Sequence, residues 1–375
     1  MRAAVIGVGS MGTNHARVYK ELNEVELVGV ADANCQQAEQ VGLRMGVRGY
    51  GNVEALLDEQ RPDLISIAVP TSEHLSVARL AIERGIHVLV EKPIAATLDE
   101  AREMIRLAEC RQITLTVGHI ERFNPAIIEL KRRLDQGELG HIFGIHARRL
   151  GPFPPRIQDV GVIVDLATHD LDIIQKLVNA PVERVYAETD RRIHVSHEDM
   201  VMGLIKFAGG VLATLNINWL TPKKIRELIV TGERGMFVVK YLKQELSYYQ
   251  NPQLNNFSSA GVVMGVSEGD MINYRIERRE PLKGEVRAVV QAGSRREPPV
   301  VSAWDGLAAL GLAMQLIESS HNGQPIILSQ PVPVAQATPT SNGVSHPNSP
   351  VLPLIPPIPL IDSRAFGAAG AANFS

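Results

Sequence analysis

Cysteine is close to absent. Cys35 and Cys110 are the only two in 375 residues, too few for a disulfide framework or a cysteine-built zinc site, and the expectation is a reduced, cytoplasmic protein. The 11 histidines are scattered without paired ligand spacing, so no metal is expected. An excess of charge of either sign is lacking too: 38 Lys and Arg stand against 41 Asp and Glu, a formal net charge of -3. That near-balance excludes a chain built to coat nucleic acid or an anionic membrane, and no helix-turn-helix or basic arm is there to contact DNA. No apolar run is long enough to span a bilayer, and the strand pattern that begins at Arg2 has no export signal ahead of it. What remains is a globular composition, 45% hydrophobic and 21% charged, over a length that suits two domains.

The first stretch alternates short β-branched runs with longer amphipathic segments opened by capping residues. The runs are Arg2 to Ile6, Val25 to Val30, Asp63 to Val69, Ile86 to Val90 and Ile113 to Val117. Thr97 followed by Glu100 reads as a capping box, and Gly85 sits where the preceding helix should stop. Mostly apolar strands separated by helices mean a parallel sheet covered on both faces, because each crossover must return the chain in the same direction. The expectation is a doubly wound α/β domain over residues 1–120.

The pattern then changes. After a helical segment from Asn124 to Leu134, strands follow one another: Ile142 to Leu150, Val182 to Thr189, Met200 to Phe207, Val211 to Trp219, Arg226 to Val230, Met236 to Tyr241 and Glu245 to Tyr249. Tight glycine turns such as Gly209-Gly210 join them, which predicts antiparallel pairing. One helix, Val164 to Val178, interrupts early. Another opens late on Ser302 and Asp305 and carries Leu307, Leu310, Met314 and Ile317 at helical spacing. This predicts an α+β domain over residues 121–330 with an open, mostly antiparallel sheet. Nine of the 23 prolines fall in the last 45 residues, where Asp362 and Arg364 are the only charges, so residues 331–375 are expected to be a Pro-rich disordered tail.

Gly7, Gly9 and Gly12 lie directly after a strand and before a helical pattern. In that context the first glycine permits a tight turn, the second admits a pyrophosphate to the backbone, and the third lets the helix pack on the strand. The helix start then offers N–H groups and its positive dipole end to the phosphates. Asp32, twenty positions after Gly12 at the end of the second strand, suits the ribose hydroxyls and repels a 2′-phosphate. No Arg or Lys follows in Ala33-Asn34-Cys35, so the cofactor expected is NAD rather than NADP.

Two further elements carry chemistry. Glu91-Lys92-Pro93 follows a strand at the edge where ligands of open α/β sheets bind, which places the Lys92 ammonium within reach of a substrate oxygen. Asp165 and His169 stand at i and i+4 of a helix and should be neighbours, the imidazole titrating near neutrality and the carboxylate orienting it. Taken singly, Lys92 is equally a solvated lysine ahead of a helix, and Asp165 with His169 equally a surface ion pair.

Together, Gly7 to Gly12, Asp32, Val69-Pro70-Thr71 with His74, Glu91-Lys92-Pro93, Arg122-Phe123-Asn124-Pro125 and Asp165 to Asp170 resemble the Gfo/Idh/MocA oxidoreductase family over residues 1–330. The resemblance implies a Rossmann domain followed by an α/β domain whose open sheet makes a homodimer or homotetramer. It also implies a catalytic group of Lys92, Asp165 and His169. NAD would then be held by Gly7, Gly9, Ser10, Met11, Gly12, Asp32, Val69, Pro70, Thr71, His74, Glu91 and Lys92. Gly118 to Pro125, and Gly151-Pro152-Phe153 through Arg156, Asp159 and Gly161, are most similar to the branch that oxidises the 3-hydroxyl of UDP-N-acetylglucosamine to a ketone for a partner aminotransferase. That branch would bind its nucleotide-sugar with Lys92, His119, Arg122, Asn124, Arg148, Arg156, Asp165 and His169. Arg148, Arg149 and Arg156 suit a pyrophosphate, though a solvated strand face carries the same residues. His119 and His74 either line the pocket or pack at its edge, and His15 caps or packs in the first helix. Two other functions use the same scaffold: a polyol dehydrogenase such as an inositol dehydrogenase, and a non-catalytic NAD-sensing partner protein.

Overall fold

The computed structural model describes residues 1–154, 157, 160–251 and 269–328. The tail expected over 331–375, like Arg156 and Asp159, lies outside the described residues.

The first 120 residues fold as β1 (Arg2–Ile6), α1 (Ser10–Glu21), β2 (Glu26–Ala31), α2 (Cys35–Met45), β3 (Arg48–Tyr50), α3 (Val53–Gln60), β4 (Leu64–Ile67), α4 (His74–Glu83), β5 (His87–Val90), α5 (Leu98–Cys110) and β6 (Leu115–Val117). All six strands are parallel, in the order β3-β2-β1-β4-β5-β6. Their apolar runs are buried on both sides, as helices on both faces require. Side chains start the helices: Asn34 accepts from Gln37 N–H, Asn52 from Ala55 N–H, and Thr97 and Glu100 cap each other's backbone. The order reverses between β1 and β4, and the crevice outside their carboxyl ends is where such sheets bind ligands. Gly7, Val69 and Lys92 all emerge at that edge. β3, only three residues long, was not visible as a strand pattern.

The second sheet is built from β7 (Ile142–Pro152), β8 (Val182–Asp190), β9 (Met200–Phe207), β10 (Leu212–Asn218), β11 (Leu220–Gly232), β12 (Gly235–Lys240), β13 (Glu245–Gln250), β14 (Met271–Tyr274) and β15 (Ile326–Ile327). The order is β14-β13-β12-β11-β7-β10-β9-β8-β15. The pairing is antiparallel except for β7 and β10, which run parallel. The chain leaves β7 through a long helical connection, so the meander that ends in β10 comes back alongside it in the same direction. One face packs on α6 (Pro125–Asp135), α7 (Thr168–Val178) and part of a long late helix. Alternate residues such as Met202, Leu204 and Leu212 point outward and are exposed.

Two late helices lie between β14 and β15, α8 (Pro281–Arg295) and α9 (Ala303–Asn322). α8 was not anticipated, and it returns to the first sheet: Leu282, Val286, Val289 and Val290 pack with Ala3, Val5 and Tyr19. α9 serves both sheets, with Leu307 and Leu310 in the first core and Leu312, Ala313 and Leu316 in the second. Residue 120 therefore separates the sheets but not the cores.

Candidate active site

The glycine turn is shaped by contact. Gly7 has φ +83° and a Cβ there would stand 2.6 Å from Ala68 backbone, while one on Gly12 would stand 1.8 Å from Gly7 O. Gly9 faces open space, so its backbone is approachable from the crevice. Asp32 braces the turn from β2: Oδ2 accepts Val8 N–H at 2.8 Å and Oδ1 accepts Asn34 N–H at 2.9 Å. A cavity of about 610 Å³ runs past Gly7, Gly9, Asp32, Val69 and Pro70. A second, of about 480 Å³, shares Gly9, Ala68, Val69 and Pro70 with it and continues past Ser10, Met11, Thr71, Glu91 and Lys92 to Asp165, His169 and Arg226. This pair of clefts meeting over an open glycine fits an extended dinucleotide, with Asp32 at one end and Lys92 at the other. A cavity of about 690 Å³ between α9 and the β8–β9 connection adjoins it at Thr71, Pro93 and Val160, but holds neither Lys92 nor His169.

Lys92 follows β5 of the first sheet, His169 stands on α7 against the second, and both line the same cleft. The ammonium donates to Asp165 Oδ1 at 2.9 Å and to the Asp165 carbonyl at 2.6 Å. The expected Asp165–His169 partnership is corrected on this point. Asp165 stands on a π-helical turn (Ile163–Ala167) ahead of α7 rather than on a regular α-helix, and Lys92, 73 residues away, claims its carboxylate. Such wide turns recur at functional sites. His169 Nδ1 is buried with no hydrogen-bond partner among the described residues. Burial and then the charge of Lys92, with smaller contributions from Arg149, His119 and Arg226, hold its pKa well below the ordinary 6.5. At neutral pH the imidazole is the free base.

Several expected contacts fall elsewhere. Arg122 donates to Asp172 at 2.8 and 2.6 Å and pairs with Asp305 at 3.0 Å, buried, tying α7 and α9 to the end of β6. It does not reach the cleft. Asn124 caps α6 and donates to Tyr241 O, also buried. His119 is buried behind the wall formed by Gly118, Ile120 and Glu121. Arg148 points outward from the open face toward Glu227 at 3.3 Å, since neighbours along a strand face opposite sides. His74, at the cavity edge, has its ring nitrogens at 3.0 Å from Pro93 O and 3.1 Å from Val69 O. It ties two loops of the crevice together rather than presenting a free nitrogen.

Some groups that shape the site carry no motif. Arg149 is fully buried and donates to Asp170 at 2.6 and 3.1 Å and to Glu121 at 3.0 Å, a bidentate network beneath His169. Arg226 lines the cleft from β11. Behind Lys92, His15 bridges Ser66 at 3.1 Å and Glu91 at 2.9 Å, and Tyr19 meets Ser66 at 2.7 Å. Glu285 of α8 completes this cluster. The ligand atoms of His15, Glu91 and Glu285 lie within 4.8 Å of one another, the nearest approach to a metal-ligand set among the described residues. Only spatial contact reveals these pairings, since the partners are tens to hundreds of residues apart, and Arg149, expected to suit a pyrophosphate, is instead buried and spent on Asp170 and Glu121.

Comparison with known proteins agrees with the geometry. The model of the oxidoreductase family with an NAD-binding Rossmann fold matches residues 1–119, and that of the GFO/IDH/MocA C-terminal domain matches residues 127–238. The chain is 32% identical over 321 residues to the UDP-N-acetylglucosamine 3-dehydrogenase of Acidithiobacillus ferrooxidans, covering 84% of this chain and 96% of that one. It is 27% identical over 341 residues to inositol 2-dehydrogenase 1 of Saccharopolyspora erythraea, covering 87% and 96%. A solved structure of the Acidithiobacillus ferrooxidans enzyme matches with a TM-score of 0.76 at 30% identity, over 86% of this chain and 98% of that one. Two family models in order along the chain, and a relative of this identity matched over nearly its whole length, lead to one conclusion: the chain belongs to the Gfo/Idh/MocA oxidoreductase family and is an NAD-dependent dehydrogenase.

Proposed function

We propose that this enzyme oxidises a secondary hydroxyl of a sugar to a ketone, and that the sugar is the N-acetylglucosamine of UDP-N-acetylglucosamine, reacting at its 3-hydroxyl. The observation that carries the reading is the meeting of the Lys92 ammonium and the unprotonated His169 imidazole along one cleft that continues into the dinucleotide crevice. NAD, when bound, accepts the hydride from the carbinol carbon. His169 takes the hydroxyl proton, which its depressed pKa leaves it free to do at neutral pH. Lys92 donates a hydrogen bond to the same oxygen where negative charge develops. Asp165 holds the ammonium by carboxylate and carbonyl together, so Lys92 is aimed before substrate arrives. The identity of 32% to a UDP-N-acetylglucosamine 3-dehydrogenase favours that substrate.

A second reading, inositol oxidation, is favoured by the inositol dehydrogenases at 24–27% identity. One panel separates them: UDP-sugars and free polyols with NAD, followed by absorbance of NADH and by mass of the product. Loss of two hydrogens from UDP-N-acetylglucosamine supports the first reading, and turnover of free inositol without it supports the second. The 3-keto product of the first reading suits an aminotransferase as functional partner. The apolar outer face at Met202, Leu204 and Leu212 supports a homodimer or homotetramer, and a monomer by light scattering would overturn that assembly.

A further inference from the structure

Arg226 stands on the inward side of β11 directly opposite Arg149 of β7. Like charges in register across a pair of strands are unfavourable, and burial adds to the cost of Arg226: desolvation first, then the charge of Arg149, lower its pKa. The neighbouring cations are each matched. Lys92 has Asp165, Arg122 has Asp172, and Arg149 has Asp170 and Glu121, all with contacts of 3.0 Å or less. Arg226 has only Glu121 at 3.8 Å, beyond hydrogen-bond range, and that oxygen already accepts from Arg149 at 3.0 Å. No described residue accepts a hydrogen bond from Arg226. Its side chain is 30% exposed, at the wall of the cleft that holds Lys92 and His169.

We propose that Arg226 selects an anionic substrate, its guanidinium taking an oxyanion that the sugar carries close to the reacting hydroxyl. The inference rests on the dehydrogenase reading of this cleft and adds the chemical class of ligand. A planar fork of N–H donors matches the paired oxygens of a phosphate or a carboxylate, and such an ion supplies the countercharge that the fold withholds. An uncharged polyol supplies none. The oxyanion has two sources, the diphosphate of a nucleotide-sugar and the carboxylate of a uronic sugar.

Binding, read apart from turnover, tests this. The NADH-loaded protein and its Arg226→Gln and Arg226→Lys variants are titrated calorimetrically with UDP-N-acetylglucosamine, with glucuronic acid and with myo-inositol. Arg226→Gln should weaken the charged ligand by about 10- to 150-fold, the loss of a charge-assisted hydrogen bond, with partial recovery in Arg226→Lys and no change for inositol. Loss confined to UDP-N-acetylglucosamine assigns the phosphate, and loss confined to glucuronic acid assigns the carboxylate. Affinities within twofold of the unmodified protein for both anions overturn the proposal, as does tight inositol binding with neither anion bound. If Arg226→Gln does not fold, the unmodified protein decides: affinity for the anion must fall between about 20 and about 300 mM salt, and salt-independent binding rejects the role. Failure of the dehydrogenase reading would appear separately, as no NADH formed from any sugar while the titrations still report binding.

Discussion

A base that removes a proton from an alcohol must be unprotonated when the alcohol arrives, and His169 meets that condition through burial and the nearby cation of Lys92. The sign follows directly. Activity needs the neutral imidazole, so it falls only as pH drops through a pKa lying well below 6.5, and the acid limb of kcat/KM for the free enzyme should lie there. Lys92→Met should lower turnover by about 100- to 1000-fold, the worth of one donor to developing oxygen charge. Because the lost cation had lowered the pKa of His169, the acid limb of the residual activity should move to higher pH. NADH affinity, measured by fluorescence titration, should stay within about twofold, as Lys92 spends its hydrogen bonds on Asp165. Near-full activity in Lys92→Met would remove it from the chemistry. Lys92 and His169 were legible in the sequence because each follows a local signal, a strand end and a helix start. The partner of Asp165 was not, since it is set by a contact 73 residues away. The choice among arginines turned on strand phase: one residue separates outward Arg148 from inward Arg149, and the segment has no clean alternation at its end to fix the face.

At the level of elements, the buried pair of Arg122 and Asp172 joins the end of β6 to α7, with Asp305 of α9 as a third member. Arg122 is 5% exposed and Asp172 1%, so removing the guanidinium leaves carboxylates buried without their cation. Burial alone would lower the pKa of Arg122, but the charges of Asp172 and Asp305 outweigh it and hold the group cationic. Arg122→Met should therefore cost about 3–5 kcal/mol in urea unfolding, whereas the double change with Asp172→Leu should recover much of it. An undiminished midpoint in Arg122→Met would mean that the pair contributes no net stability. The elements themselves were mostly readable: apolar, β-branched runs placed eleven of the twelve expected strands within two residues, Met200–Phe207 among them, while Arg226 to Val230 caught only part of β11. The misses have physical causes. β3 has too few residues to show alternation, and α8 carries Gly284 and Gly293, poor helix formers, behind a charged run that reads as loop.

At the scale of the whole molecule the late helices tie the described chain together, α9 by serving both sheets and α8 by returning to the first, and α8 carries a consequence for pH dependence. Glu285 projects from α8 into the space behind Glu91, and neither carboxyl oxygen has a hydrogen-bond partner among the described residues. Desolvation first, then the charge of Glu91, raise its pKa well above 4.5. Glu91 is pushed up by burial too, but the hydrogen bond from His15 and the charges of His15 and Lys92 outweigh that and keep it below the ordinary value. The pair thus holds one proton, on Glu285. In the unfolded chain Glu285 ionises near 4.3, so between that pH and its raised folded value the native state binds the extra proton. Stability from this group is complete below the unfolded pKa and is lost as pH rises through the folded one. Glu285→Gln keeps the shape and removes the titration. Its melting temperature should match that of the unmodified protein near pH 4 and exceed it increasingly as pH rises through neutrality, the difference between the two proteins cancelling every other titrating group. A difference that does not change with pH would show that Glu285 is ionised in the folded protein, and that α8 docks with two carboxylates facing each other behind Lys92.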